Sequence, residues 1–191
     1  MHAPTDKPSH WVQRFAPLVP AGEVLDLACG SGRHARLFAQ LGHPVLAVDR
    51  DPQALAATAG PGITTLEVDL EVEGAPWPFA AGRFAGIVVT NYLHRPLMAS
   101  LAASLAPGGV LIYETFALGN EAFGKPSNPA FLLRPGELLE VAAGGGLRVL
   151  AYEDGVVQEP KPARLQRLCA AGAGFAQTEA RLDHLSAVNE P

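Results

Sequence analysis

Cysteine, long apolar runs and positive charge are all scarce in this chain. Only two of its 191 residues are cysteine, Cys29 and Cys169. Neither sits in a Cys-x-x-Cys pair or a Cys/His cluster, so a disulfide-built scaffold is excluded and no metal site is expected. A reducing, cytoplasmic setting fits that usage best. No stretch approaches the ~20 consecutive apolar residues that span a bilayer. The opening MHAPTDKPSHW also lacks the apolar core of an export signal, so neither membrane nor export is expected. With 14 Lys+Arg against 19 Asp+Glu the formal charge is −5, which gives no general attraction to phosphate backbones. A small-molecule partner is therefore expected ahead of nucleic acid, and the choice between monomer and dimer stays open.

What the chain does have is apolar content, 48% of 191 residues, enough for the core of one domain. Short β-branched runs alternate with Ala/Leu-rich segments, the pattern of strands joined by crossover helices. Strands are expected near 23–28, 45–49, 64–69, 84–90, 110–114, 147–153 and 163–169, and helices near 33–41, 52–59, 96–105 and 134–143. Asp51 followed by Pro52 is a good N-cap and first helical residue. The expected fold is α/β: a Rossmann-like, doubly wound, mostly parallel seven-stranded sheet with helices on both faces. Residues 1–20 read as a leading arm or helix before a domain of residues 21–191. Trp11 and Phe15, one helical turn apart, read as a face packed on the sheet, with a lid over a ligand as the alternative.

The stretch VLDLACGSGRHARLFAQLGHPVLAVDR, residues 24–50, carries the functional signal. It reads as strand, glycine-rich corner, helix and second strand, at the point where doubly wound sheets bind ligands. Gly30 and Gly32 let the backbone turn sharply and come close to a ligand while the next helix presents its N–H groups. Gly30-x-Gly32-x-x-Ala35 and Asp49, about 20 residues on, fit a nicotinamide dinucleotide and S-adenosylmethionine alike. Asp26 separates the two, because an acid just before the corner repels a pyrophosphate and attracts an amine or a sulfonium.

The run Asp26-Leu-Ala-Cys-Gly-Ser-Gly32 resembles the first motif of class I S-adenosylmethionine-dependent methyltransferases, with Ala28 in place of the first glycine. Among these, the segment DLACGSGRHARLFAQLGH is similar to the small bacterial methyltransferases grouped with tellurite-resistance proteins. The resemblance extends through Asp49, Asp69-Leu70, the strand ending in Thr90 with Asn91-Tyr92 after it, and Pro107-Gly108-Gly109. It implies S-adenosylmethionine as cofactor, with Asp26 near the ligand amine and Asp49 on both ribose hydroxyls. Asp69 and the Leu70 N–H would face the adenine, and Arg50 would cover its edge or stay solvated. Ala28, Cys29 and Asn91 would complete the cofactor wall through their backbone or position, and Cys29 is not expected to act as a nucleophile.

On the acceptor side, His94 is expected as a general base and Tyr92 as its orienting partner, with a helix cap as the alternative role for His94. The loop of residues 119–131, long for a strand-to-helix connection, is the expected specificity element. Lys125, Asn128 and Arg134 would meet an anionic acceptor, and Glu114 would either add an acid or hold the loop. The leading expectation is methyl transfer to a small molecule. The alternatives are a non-catalytic cofactor sensor or partner subunit, a methyltransferase acting on nucleic acid or protein, and, most remotely, a nicotinamide-dependent oxidoreductase.

Overall fold

A computed structural model describes residues 7–176 and residue 178. The strands are β1 (Val24–Leu27), β2 (Val45–Asp49), β3 (Ile63–Glu67), β4 (Phe84–Thr90), β5 (Leu105–Phe116), β6 (Arg148–Val157) and β7 (Ala163–Ala171). They form one seven-stranded sheet in the order β3-β2-β1-β4-β5-β7-β6. The first five run parallel, and β7 is antiparallel to both β5 and β6. β1 and β4 are apolar almost throughout because both faces of the central sheet are covered, which removes the need for alternation.

Helices α1 (His10–Phe15), α2 (Arg33–Gln40) and α3 (Pro52–Thr58) pack Trp11, Phe15, Phe38 and Leu55 against Val24, Val45 and Val88 on one face. Helices α4 (Met98–Ser104) and α5 (Glu137–Gly144) pack Leu101, Leu138 and Ala142 against Leu25, Ile87 and Leu111 on the other. The expected α3 start is observed: Asp51 accepts the Gln53 and Ala54 N–H groups ahead of Pro52.

Of the boundaries that differ from expectation, four bear on the site and its supports. β3 ends at Glu67, leaving Asp69 in the following turn, where its carboxylate accepts the Glu71 N–H at 2.9 Å. β5 begins at Leu105, and its Pro-Gly-Gly corner is a bulge within the pairing rather than a turn before it. The helix expected at 96–105 opens with a 3₁₀ turn, Arg95–Leu97. α5 starts at Glu137 instead of 134, because Pro135 holds Arg134 out of helical backbone and Gly136 makes the entry at φ +73°.

The leading helix lies flat on the sheet. The Ser9 hydroxyl caps it by accepting the Trp11 N–H at 3.1 Å, and the Trp11 indole donates to the Leu168 carbonyl at 3.2 Å. Trp11 and Phe15 are 3% and 0% exposed and meet edge to face, so packing is their role and the lid alternative falls. Residues 1–6 of the expected arm, and residue 177 and residues 179–191 of the expected domain, lie outside the described residues. Trp11→Ala should cost about 3–5 kcal/mol of stability, read by urea unfolding; a loss under 1 kcal/mol would mean that the helix contributes little to the core.

Candidate functional site

The chain leaves the carboxyl end of β1 through three residues with positive φ: Ala28 at +53°, Gly30 at +54° and Gly32 at +78°. The conformation costs a non-glycine residue roughly 1–2 kcal/mol, so Ala28 carries strain where a glycine would carry none. At Gly30 a built Cβ would meet nothing within 4 Å, so the corner opens onto free space. At Gly32 it would collide with Thr58 of α3, whose hydroxyl also donates to the Gly30 carbonyl at 3.0 Å.

Two carboxylates hold this corner. Asp49, half-buried at the end of β2, accepts the Gly30 N–H on Oδ2 at 2.8 Å and the Asp51 N–H on Oδ1 at 3.0 Å. Each oxygen keeps a lone pair for a further donor. Asp26 lies beneath the corner, 1% exposed, and its Oδ2 accepts the Ala35 N–H at 2.8 Å. Burial pushes its carboxyl up to about 7, against the lowering effect of the Ala35 N–H and Arg33. Its visible bond is thus a cap on α2, and any influence on a ligand reaches it as charge. The Cys29 thiol is pushed up to about 12 by burial and by Asp26 and Asp49, so it stays protonated and is no nucleophile.

A cleft of about 200 Å³ opens at the ends of β1 to β4, walled by Ala28, Asp49, Arg50, Asp69, Leu70 and Tyr92 among others. It brings together five of the ten residues expected around a cofactor, whereas Asp26, Cys29, Gly30, Gly32 and Asn91 are not part of its wall. Tyr92 stands on this same wall, with burial and the Glu71 and Asp69 carboxylates holding its hydroxyl above its usual range. The phenol therefore keeps its proton at neutral pH. Asn91, in left-handed backbone at φ +56°, donates its N–H to the Glu114 carbonyl at 2.9 Å. His94 is half-buried and precedes the 3₁₀ turn, but its side chain makes no capping bond, so the cap role falls.

The polar residues expected to greet an anionic acceptor are mostly used within the fold. Asn128 caps its own turn at the Ala130 N–H, and Arg134 pairs with Glu137 and Glu140 at 3.5 Å each. Glu114 is ion-paired with Arg167 and neither stands free nor holds the loop; Lys125 is exposed. Among the described residues no three His, Cys, Asp or Glu side chains group as metal ligands would.

Sequence reasoning missed three residues that organise this rim. His34, 1% exposed, accepts the Ser9 N–H on Nε2 at 3.1 Å, so the proton is assigned to Nδ1, 3.4 Å from the Thr90 hydroxyl. Burial, with Arg33 adding to it, pushes its imidazole down to about 3. Arg95 donates to the Ala130 and Leu132 carbonyls at 2.8 Å each and grips the Glu137 carboxylate at 2.7 and 3.0 Å. Asn120, also 1% exposed, ties the long loop to the Pro126 carbonyl and the Arg164 N–H. Apart from Pro126, six residues from Asn120, these partners lie 25 to 56 residues away and leave no local spacing to read.

The family model described as "Methyltransferase domain" matches residues 2–180. A ribosomal protein L11 methyltransferase of Xylella fastidiosa is 35% identical over 131 residues, 63% of this chain and 41% of the relative. The chain thus spans less than half the length of that curated relative. An S-adenosylmethionine-dependent methyltransferase from Mesorhizobium loti superposes with a TM-score of 0.68 at 18% identity, over 87% of this chain and 99% of that one. TehB from Haemophilus influenzae gives 0.69, also at 18% identity, over 88% of this chain and 63% of its own. At such identities the structural likeness speaks to fold.

Asp26 and His34 make opposing contributions to acid stability. Asp26 titrates near 7 when folded and 3.8 when unfolded, so its contribution is present below about 4 and lost as pH rises through 7. His34 titrates near 3 when folded and 6.5 when unfolded, so its contribution is present above 6.5 and lost as pH falls towards 3. The slopes cancel between the two ranges. Asp26→Asn should therefore lose up to about 1.4 kcal/mol per pH unit relative to the parent on acidification from 6.5 to 4. Urea unfolding at several pH values checks this, and parallel curves would show that Asp26 ionises normally.

Proposed function

The chain belongs to the methyltransferase-domain family, whose cofactor is S-adenosylmethionine, and from that premise we propose that it methylates a small-molecule acceptor. The carrying observation is the fixed Asp49 carboxylate, held by the Gly30 and Asp51 N–H groups at the mouth of an open glycine corner. The residues fit the cofactor: Asp49 has lone pairs left for both ribose hydroxyls, and the Gly30 backbone faces space with no Cβ in the way. The Leu70 N–H and Asp69 take the adenine, Arg50 covers its edge, and the backbone of Ala28 and Cys29 lines the path between. Asp26 contributes negative charge beneath the amino-acid end, and Asn91 closes the cleft where β4 ends.

When bound, the cofactor supplies a methyl group on a positively charged sulfur, which an acceptor displaces in line. The chain supplies alignment and a site poor in water. His94, with no capping bond of its own, takes the acceptor's proton as the methyl arrives. Tyr92, kept protonated beside Glu71, helps to orient cofactor or acceptor from the cleft wall. The loop of residues 119–131, held in place by Asn120 and Arg95, shapes the acceptor end. Net charge of −5 favours a small acceptor over a nucleic acid. No metal is assigned a part.

A screen of small nucleophiles for release of S-adenosylhomocysteine tests the activity. Turnover with none of them alongside tight cofactor binding favours a sensor, and binding of NADH in place of S-adenosylhomocysteine overturns the reading. Asp49→Ala should weaken S-adenosylhomocysteine binding by about 1.5–3 kcal/mol in calorimetry; unchanged affinity would make Asp49 a purely structural tie. His94→Ala should slow turnover of an identified acceptor by about 10²–10⁴-fold with cofactor affinity unaltered, and an undiminished rate removes it as a base.

A further inference from the structure

Two consecutive residues near the end of β5 hold the chain that leaves β4. β5 is bonded to β4 on one side and to β7 on the other, so Tyr113, 1% exposed, sits on a strand fixed at both edges. The Glu114 carbonyl takes the Asn91 N–H at 2.9 Å, a backbone bond that does not depend on the side chain at 114. The Tyr113 hydroxyl donates to the Tyr92 carbonyl at 2.9 Å, and that bond needs the phenol. A buried phenol oxygen has to find a partner, and this one finds it in residues 91–94, which lie outside helix and strand. Burial, with Tyr92 and Glu137 adding to it, holds the Tyr113 hydroxyl above its usual range, so it stays a donor.

The tie matters because of where Tyr92 stands. It forms the β4 side of the cleft wall, and the other residues of that wall come from the ends of β1, β2 and β3. β4 and β3 lie on opposite flanks of β1 and β2 in the sheet, so Tyr92 closes the cleft against the turn that follows β3. With the Asn91 N–H held on one side and the Tyr92 carbonyl on the other, the Cα that carries the ring has little freedom, because each peptide unit is planar.

We propose that Tyr113 is a positioning residue for the cleft: its hydroxyl pins the Tyr92 carbonyl and so sets where the Tyr92 ring stands against the ligand. This rests on the S-adenosylmethionine reading of the cleft. Tyr113 itself lies in the core and acts only through Tyr92. Without the bond the ring loses its fixed place, and the ligand has to order it on binding, which costs affinity.

The test needs no acceptor. Calorimetry of S-adenosylhomocysteine binding is run as a double-mutant cycle on Tyr113 and Tyr92. Tyr113→Phe, which removes one oxygen, should weaken binding about 3- to 10-fold. In the Tyr92→Ala background the same substitution should change affinity by less than about twofold, since no ring is left to place. An equal loss in both backgrounds, or no loss in either, would overturn the assignment. Hydrogen exchange adds a readout free of ligand: Tyr113→Phe should speed exchange of the Asn91 N–H about 3- to 10-fold and leave that of Val88, within β4, unaltered. Equal speeding at both marks a general loss of stability and also overturns it. If Tyr113→Phe does not fold, Tyr92→Ala decides: weakened binding supports the ring's place in the cleft, and undiminished binding leaves the tie nothing to position. If the parent binds no S-adenosylhomocysteine, the cofactor reading falls, while the exchange comparison still decides whether Tyr113 holds Tyr92.

Discussion

The bond from the Gly30 N–H to the Asp49 carboxylate, 2.8 Å long, is the constraint on which the site depends. It joins the corner after β1 to the end of β2, so the two strand ends cannot drift apart. The same carboxylate holds the Asp51 N–H, and Asp51 in turn caps α3. α3 returns through Thr58, whose hydroxyl reaches the Gly30 carbonyl. The loop of contacts closes on itself, and it requires Gly32 to lack a side chain. One acid thus sets the geometry of the corner and faces the cleft.

Asp26 supports the corner from below in a different way. Its carboxylate satisfies an N–H at the start of α2, a group that a helix leaves without an internal partner. Full burial makes its charge costly, and Arg33 and Arg36 of the same helix offset part of that cost. His34 extends the arrangement outward by joining the N-terminus of α1 to the end of β4. Asp26, Arg33, His34 and Arg36 therefore gather charged and polar groups at the start of α2.

The far half of the sheet is held by ion pairs that cross between elements. Arg167 on β7 joins Glu114 on β5 to Glu153 on β6, and Arg14 on α1 reaches the same Glu153 at 3.8 Å. Arg167 also lies 5.9 Å from the Trp11 ring centre. Arg95 performs the corresponding task for the long loop, anchoring two carbonyls and the Glu137 carboxylate at the start of α5. Burial would raise that carboxylate, but Arg95 and the Arg134 N–H outweigh it and hold it low.

Short β-branched and apolar runs were enough to locate all seven strands, and β1, β2 and β4 stand out most, because a parallel strand buried on both faces must be apolar on both. The glycine corner was legible for a similar reason: a backbone in left-handed conformation and an acid about 20 residues on are local demands on residue type. The mostly parallel sheet was expected, but the strand order, with β7 inserted antiparallel between β5 and β6, came only with the tertiary structure. So did the partners of charged residues. Glu114, Asn128 and Arg134 look like free polar groups along the chain and turn out to be engaged, while His34 and Arg95 draw no notice until their partners arrive. The sequence by itself determined which segments are buried and where the backbone must bend, since those depend on each residue's own chemistry. Which charges meet was decided by the fold, because a side chain's partner depends on segments distant in the chain, and no local pattern encodes that distance.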